Sequence, residues 1–197
     1  MIDPRSFVNG NLEQKPFLEI PSRQPPLAAI KDTHWNPIVA STLGVVFTNG
    51  ALSLHVLNEA STDYDTTTLP TAEHINCMSW SPKGKQLVAG RNDGRLTQFK
   101  PDLKEAKTVA PPRGSSSGLT YLSVLWVSTY QFLVAFKDTS DPDSRPGLCL
   151  VTSSKSGETS YVNYDDICYS TGDGVRSLNF LMIQVWTLTQ FYSVCFL

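Results

Sequence analysis

Three tryptophans, Trp35, Trp80 and Trp126, recur 45 and 46 residues apart. A fixed period in this range is the mark of a propeller: each unit is one four-stranded sheet that cannot bury its apolar faces alone and must stack on the next. The first two copies agree well beyond the tryptophan. His34-Trp35-Asn36-Pro37 is echoed by Ser79-Trp80-Ser81-Pro82, and an apolar strand follows each, Leu43 to Phe47 and Gln86 to Ala89. In the second copy Ser81-Pro82 is expected to open the strand that ends at Gly90. Asn49-Gly50 and Asp93-Gly94 come next, the dipeptide that a two-residue type I′ hairpin asks for because both central residues take positive φ. Ala51 to Val56 and Arg95 to Phe99 then largely alternate apolar with polar, as a half-buried strand does.

The third copy, Val124 to Phe136, keeps the tryptophan and the strand but lacks the proline. It leads into a polar loop, Lys137 to Arg145, and a further strand, Gly147 to Thr152. Residues 21–26, 61–68 and 111–118 are rich in turn formers and read as outer-strand edges and connections between units. No segment shows a helical period. The expected fold is all-β: an incomplete WD40-like β-propeller of roughly three four-stranded blades with a divergent C-terminal tail. Residues 1–174 form the partial propeller, with repeats centred on Trp35, Trp80 and Trp126, and residues 175–197 the divergent apolar tail. A stray edge strand is expected at Met1 to Phe7. Closure normally takes at least four blades, so an open arc is expected, with apolar faces at its two ends.

Composition narrows the function classes. Net charge is −2 and charged residues are 17% of the chain, with lysines and arginines scattered, so nothing favours direct binding of nucleic acid or an anionic membrane. Cys77, Cys149, Cys168 and Cys195 are far apart and form no Cys-x-x-Cys pair, which fits reduced thiols of a cytosolic or nuclear protein. The start, Met1-Ile2-Asp3-Pro4-Arg5, is polar and has no apolar signal region behind it. The tail Leu178 to Leu197 is uncharged and as long as a membrane span. Asn179, Gln184, Thr187, Thr189, Gln190 and Ser193 make it too polar for one, and only Arg176 flanks it. An end that replaces the next blade is the preferred reading.

The second copy, Cys77 to Gly94, resembles the central hairpin of a WD40-type blade, although it lacks the usual Gly-His and Trp-Asp dipeptides. More narrowly, the chain is similar to the N-terminal propeller of the large cytoplasmic-face FG nucleoporins of the nuclear pore, the CAN family. The resemblance rests on Trp80-Ser-Pro-Lys-Gly-Lys-Gln-Leu87, on Gln98-Phe99, Pro101, Leu103 and Pro111-Pro112, and on Val124-Leu125-Trp126 with Thr129-Tyr130. Phe7, Pro16-Phe17, Trp35-Asn36-Pro37, Tyr161-Val162-Asn163 and Cys168-Tyr169 fall in family order, so it covers Met1 to Gly174. It implies a non-catalytic docking platform at the cytoplasmic face of the pore, acting in nucleocytoplasmic transport and mRNA export beside other pore proteins. It also implies a DEAD-box mRNA-export helicase as partner. The family's basic helicase contacts belong to later blades, so no contact residue is carried over here. The alternative is a generic WD40-like scaffold of another intracellular complex.

No catalytic, cofactor-binding or metal-binding residue is assigned. The three tryptophans read as packing residues between blades rather than partner anchors. Lys83, Lys85 and Lys100 read as solvated loop lysines. Gly84-Lys85 lacks the first glycine, the following Ser/Thr and the helix of a phosphate-binding loop. His34, His55 and His74 have no metal-ligand spacing. Asp165-Asp166 would point to opposite faces of a strand, and no serine sits in a Gly-x-Ser-x-Gly elbow. A propeller hydrolase would need carboxylates or histidines converging on the central channel, and none can be picked out.

Overall fold

The computed structural model describes residues 18–20, 28–60, 62–69, 73–111, 118–141 and 143–164. These hold twelve strands in three four-stranded antiparallel sheets. The first sheet is β1 (Ile30–Trp35), β2 (Thr42–Phe47), β3 (Leu52–Leu57) and β4 (Tyr64–Leu69). The second is β5 (Ile75–Trp80), β6 (Leu87–Arg91), β7 (Leu96–Phe99) and β8 (Glu105–Val109). The third is β9 (Leu119–Ser128), β10 (Gln131–Asp138), β11 (Gly147–Ser153) and β12 (Thr159–Asn163). Each is a plain meander in which chain neighbours pair, and the first strands β1, β5 and β9 lie side by side. That is the blade arrangement the tryptophan period predicts.

The repeat holds in register as well as in sequence. Trp35 pairs with Leu43, Trp80 with Leu87 and Trp126 with Phe132, so each tryptophan faces the opening of its blade's second strand. Trp126 meets Phe132 edge-on, with ring centroids 4.9 Å apart. Trp35 and Trp80 close their first strands, whereas β9 runs on to Ser128, and Ser81-Pro82 starts a turn instead of a strand. Ser81 N–H donates to the Gln86 carbonyl and Gly84 N–H to the Ser81 carbonyl, both at 2.8 Å. Proline at the second position of that turn has its φ preset, whereas in a strand it would lack a ladder donor.

Asn49-Gly50 and Asp93-Gly94 do join adjacent strands, but not as type I′ turns. Gly50 N–H donates to the Phe47 carbonyl at 3.0 Å and Phe47 N–H to the Ala51 carbonyl at 2.9 Å. Arg91 to Arg95 repeats the pattern. Gly50 and Gly94 have φ of 85° and 76°, whereas Asn49 and Asp93 are not left-handed. These are three-residue loops, a type I turn closed by one left-handed residue. Asn49 Oδ1 and Asp93 Oδ1 each accept the N–H two residues on, at 3.1 Å, which braces the turn from within. The same bonds close Lys100 to Lys104, where Leu103 occupies the left-handed position at φ 59°. Leucine is tolerated there because its side chain, 6% exposed, joins the core with Trp80, Leu87 and Phe99.

Two apolar seams hold the sheets together. One gathers Val46, Leu52 and Leu54 with Ile75, Met78 and Trp80, and the other Cys77, Val88 and Leu96 with Tyr121, Trp126 and Phe132. A β-carbon on Gly44 would lie 2.5 Å from Met78 Cε, and one on Gly90 would lie 2.7 Å from Tyr121 Cβ. The second strands therefore give up a side chain where the next blade's first strand presses in. Polar bonds stitch the same seams. Trp80 Nε1–H donates to the His34 carbonyl at 3.0 Å, and Trp126 N–H to Ser79 Oγ at 3.0 Å. Farther out, Lys107 Nζ donates to the Ser154 carbonyl at 2.9 Å and the Tyr161 hydroxyl to the Ala110 carbonyl at 3.0 Å.

One further expectation, burial of all three tryptophans, needs correction. Trp35 is 45% exposed, whereas Trp80 and Trp126 are both 6% exposed. Trp80 packs back onto the sheet before its own, and no sheet precedes β1 among the described residues. The stretch 61–68, read as an outer-strand edge and connection, does hold an outer strand, β4, a complete one from Tyr64, where β-branched Thr66, Thr67 and Thr68 suit an exposed edge. The edge strand expected at Met1 to Phe7 and the tail 175–197 lie outside the described residues.

The contrast between the tryptophans is testable by chemical denaturation. Trp80→Ala is expected to cost about 3–5 kcal/mol, the range for truncating a buried Trp, and Trp35→Ala distinctly less. At Leu103, alanine keeps the left-handed strain and empties the pocket, whereas glycine empties it and relieves the strain. Leu103→Gly should therefore be the more stable of the two, by about 1 kcal/mol, against the usual order.

Candidate docking surface

Because every strand runs from one rim of its sheet to the other, the connections gather at two ends. Among the described residues one end carries 36–41, 58–60, 62–63, 81–86, 100–104, 129–130 and 154–158; the other carries 48–51, 92–95, 139–141 and 143–146. Loops displayed from a rigid sheet frame are where a blade-built protein makes its contacts.

At the first end the loops are tied together by Asn36, which is 5% exposed. Its Oδ1 accepts the N–H groups of Ile38 and Val39 at 3.0 and 2.9 Å, and its Nδ2 donates to the Gly84 carbonyl at 2.8 Å. One asparagine thus shapes its own loop and clamps it to the turn of the next blade. Gly84 fits closely, with φ 64° and room for no β-carbon against Asn36 Oδ1. Lys83 and Lys85, on either side of it, are exposed. Nothing helical follows Gly84-Lys85, consistent with discounting a phosphate-binding loop. Lys100 sits on the next hairpin out.

The second end is crossed by a polar network. Lys31 Nζ donates to Asn76 Oδ1 at 2.8 Å, and Asn76 Nδ2 donates in turn to Asn92 Oδ1. Arg91 bridges Glu73 at 2.5 Å and Asp93 at 3.5 Å. Its charge is met by carboxylates already in place, so this end offers no bare cation for a partner at Arg91.

Among the described residues the candidate chemical groups are not brought together. His34 Nε2 lies 3.0 Å from an Asp32 carboxylate oxygen on β1. His55 Nδ1 lies 2.9 Å from Thr66 Oγ1, and its ring stands edge-on to Tyr64; burial pushes its pKa down. His74 takes a left-handed turn position, and its carbonyl accepts the Asn92 N–H. Among the described residues no three His, Cys, Asp or Glu gather as a metal site. Cys77 and Cys149 are buried free thiols. Burial, with the Asp32 charge, pushes Cys77 up to about 12, which keeps it neutral and unreactive. Burial raises Tyr121 further still. No helix among the described residues is long and apolar enough to cross a membrane. Asp165-Asp166, Cys168, Cys195 and Leu178 to Leu197 lie outside the described residues.

Sequence reasoning took Asn36 only as part of the repeat motif and passed over Ile38 and Val39. The signal was present in Asn36-Pro37-Ile38-Val39: an asparagine two residues before a pair of bulky apolar side chains, outside any strand alternation.

Comparison with known proteins places this geometry in a family. The family described as NUP159/214 beta propeller matches residues 2–193, which runs past Gly174, the end of the span over which the motifs quoted above resemble it. The nuclear pore complex protein Nup214 of Drosophila melanogaster is 40% identical over 157 residues, covering 78% of this chain and 9% of that protein. Human Nup214 is 30% identical over 176 residues, covering 86% of this chain and 8% of that protein. Nucleoporin NUP159 of Chaetomium thermophilum is 31% identical over 123 residues, 61% of this chain and 8% of its own length. The chain thus spans under a tenth of the length of these relatives. With three meander sheets stacked in series and the family match running nearly end to end, the chain belongs to the NUP159/214 beta-propeller family.

Proposed function

We propose that this chain is a non-catalytic protein-docking scaffold of the nuclear pore complex, at its cytoplasmic face, serving nucleocytoplasmic transport and mRNA export. The observation that carries the reading is the family match over residues 2–193, on a framework of three stacked meander sheets. Its relatives are nuclear pore proteins, which supports other pore proteins as its partners. A DEAD-box mRNA-export helicase is a further proposed partner, on the family resemblance alone, with no contact residue assigned. Binding by loops on a rigid β-framework asks for no cofactor and no strongly basic surface, in keeping with the net charge of −2. A generic WD40-like scaffold of another complex would share the fold but not the family.

Expression of the tagged chain in cells, with imaging and affinity purification, tests the reading. Fluorescence at the nuclear rim and co-purification of nucleoporins are expected. A diffuse signal with no nucleoporin recovered, from chain that is intact and soluble, would remove the pore assignment. The purified chain is also expected to show no hydrolase activity and no nanomolar, sequence-selective RNA binding at physiological salt.

A further inference from the structure

Ile38 and Val39 are 66% and 48% exposed. Single apolar side chains on a surface need no explanation, but this pair is held there. Both N–H groups are fixed on Asn36 Oδ1, Thr42 N–H donates to the Val39 carbonyl at 3.0 Å, and Asn36 N–H donates to the Thr42 carbonyl at 2.8 Å. The loop cannot tuck the two side chains under without breaking several of these bonds. They sit at a loop tip between β1 and β2, not on a sheet face, so blade stacking is not what leaves them bare.

Through the Asn36–Gly84 bond the tip abuts Lys83 and Lys85. Among the described residues neither lysine pairs with a carboxylate, although Lys104 is matched by Asp102 at 3.0 Å and Arg91 by Glu73. The result is a preformed apolar tip edged by two uncompensated positive charges. Fixed beforehand, it loses little entropy on binding.

We propose that Ile38, Val39, Lys83 and Lys85 form a docking site for a short acidic, apolar segment of a partner protein. The segment's aliphatic or aromatic side chains cover Ile38 and Val39, and its carboxylates meet the two lysines. The charge pattern selects this occupant over its rivals. Two lysines fall well short of the cluster of about four to eight that reads as a lipid-headgroup surface, and an apolar tip adds nothing to phosphate binding. The proposal rests on the docking role above and names its surface and the chemistry of its partner.

The test is selection of a display library of random short peptides against the full chain, compared with Ile38→Ser/Val39→Ser and Lys83→Glu/Lys85→Glu. All four positions are exposed, and melting curves verify that both double variants fold. The wild type should enrich peptides that place Asp or Glu beside Leu, Ile or Phe, and each variant should bind them about tenfold more weakly or worse. The charge-reversed variant should instead select Lys- or Arg-bearing peptides, and wild-type affinity should fall as salt rises. No enrichment over the variants, or enrichment of basic peptides on the wild type, overturns the proposal. So does binding of phosphatidylserine vesicles without peptide selection. Self-association removed by Ile38→Ser/Val39→Ser, with no peptide enriched, assigns the tip to a second copy and overturns it as well. A chain that reaches the nuclear rim but selects no peptide refutes the surface and leaves the scaffold role standing; selection without rim localisation does the reverse.

Discussion

A four-stranded meander has two faces and can bury neither of them alone, so a chain of such units stands or falls on the seams between them. Here each seam is built the same way. The second strand of one blade omits a side chain, at Gly44 or Gly90, and the first strand of the next fills the space with Met78 or Tyr121. Trp80 closes the first seam with a hydrogen bond to the His34 carbonyl. At the second, Ser79 accepts the Trp126 backbone N–H. The tryptophan period is the sequence trace of that seam.

This explains what could be read ahead of time. Register, blade count and order follow from a repeated side chain and repeated turn dipeptides, and both are local signals. The misreadings share one cause: a local signal whose outcome depended on surroundings. Trp35 carries the same sequence mark as Trp80, yet burial needs a neighbouring sheet as well as a tryptophan. Asn49-Gly50 marks a hairpin correctly, but the Asn49 side chain, by taking the Ala51 N–H, goes with a three-residue loop rather than a two-residue one. Leu103 gives no turn signal at all. It is held in the left-handed conformation by the core it joins with Trp80, Leu87 and Phe99, residues that lie outside the turn itself.

The docking surface was the least legible part, for the same reason. A loop apolar pair reads as nothing in particular until it is seen pinned by a buried asparagine to the turn of the next blade. Lysines that look solvated in sequence gain meaning only beside that pair. Family membership likewise locates the chain without locating the surface, since the shared motifs are those of the blade frame.

The cross-links described between sheets are unevenly placed. Between the second and third sheets they occur near the first strands, at Ser79 and Trp126, and again at the outer strands, where Lys107 reaches Ser154 and Tyr161 reaches Ala110. Between the first and second they lie at the first strands and the loop ends, through Trp80, Asn36 and Lys31. Seen as a fabric, the second and third blades are sewn by polar bonds at both hub and rim, whereas the first blade is sewn to the second at the hub and held farther out by apolar packing, with Leu69 of β4 against the shared cluster. The loop tip carrying Ile38 and Val39 sits at the sewn edge, through the bond from Asn36 to Gly84.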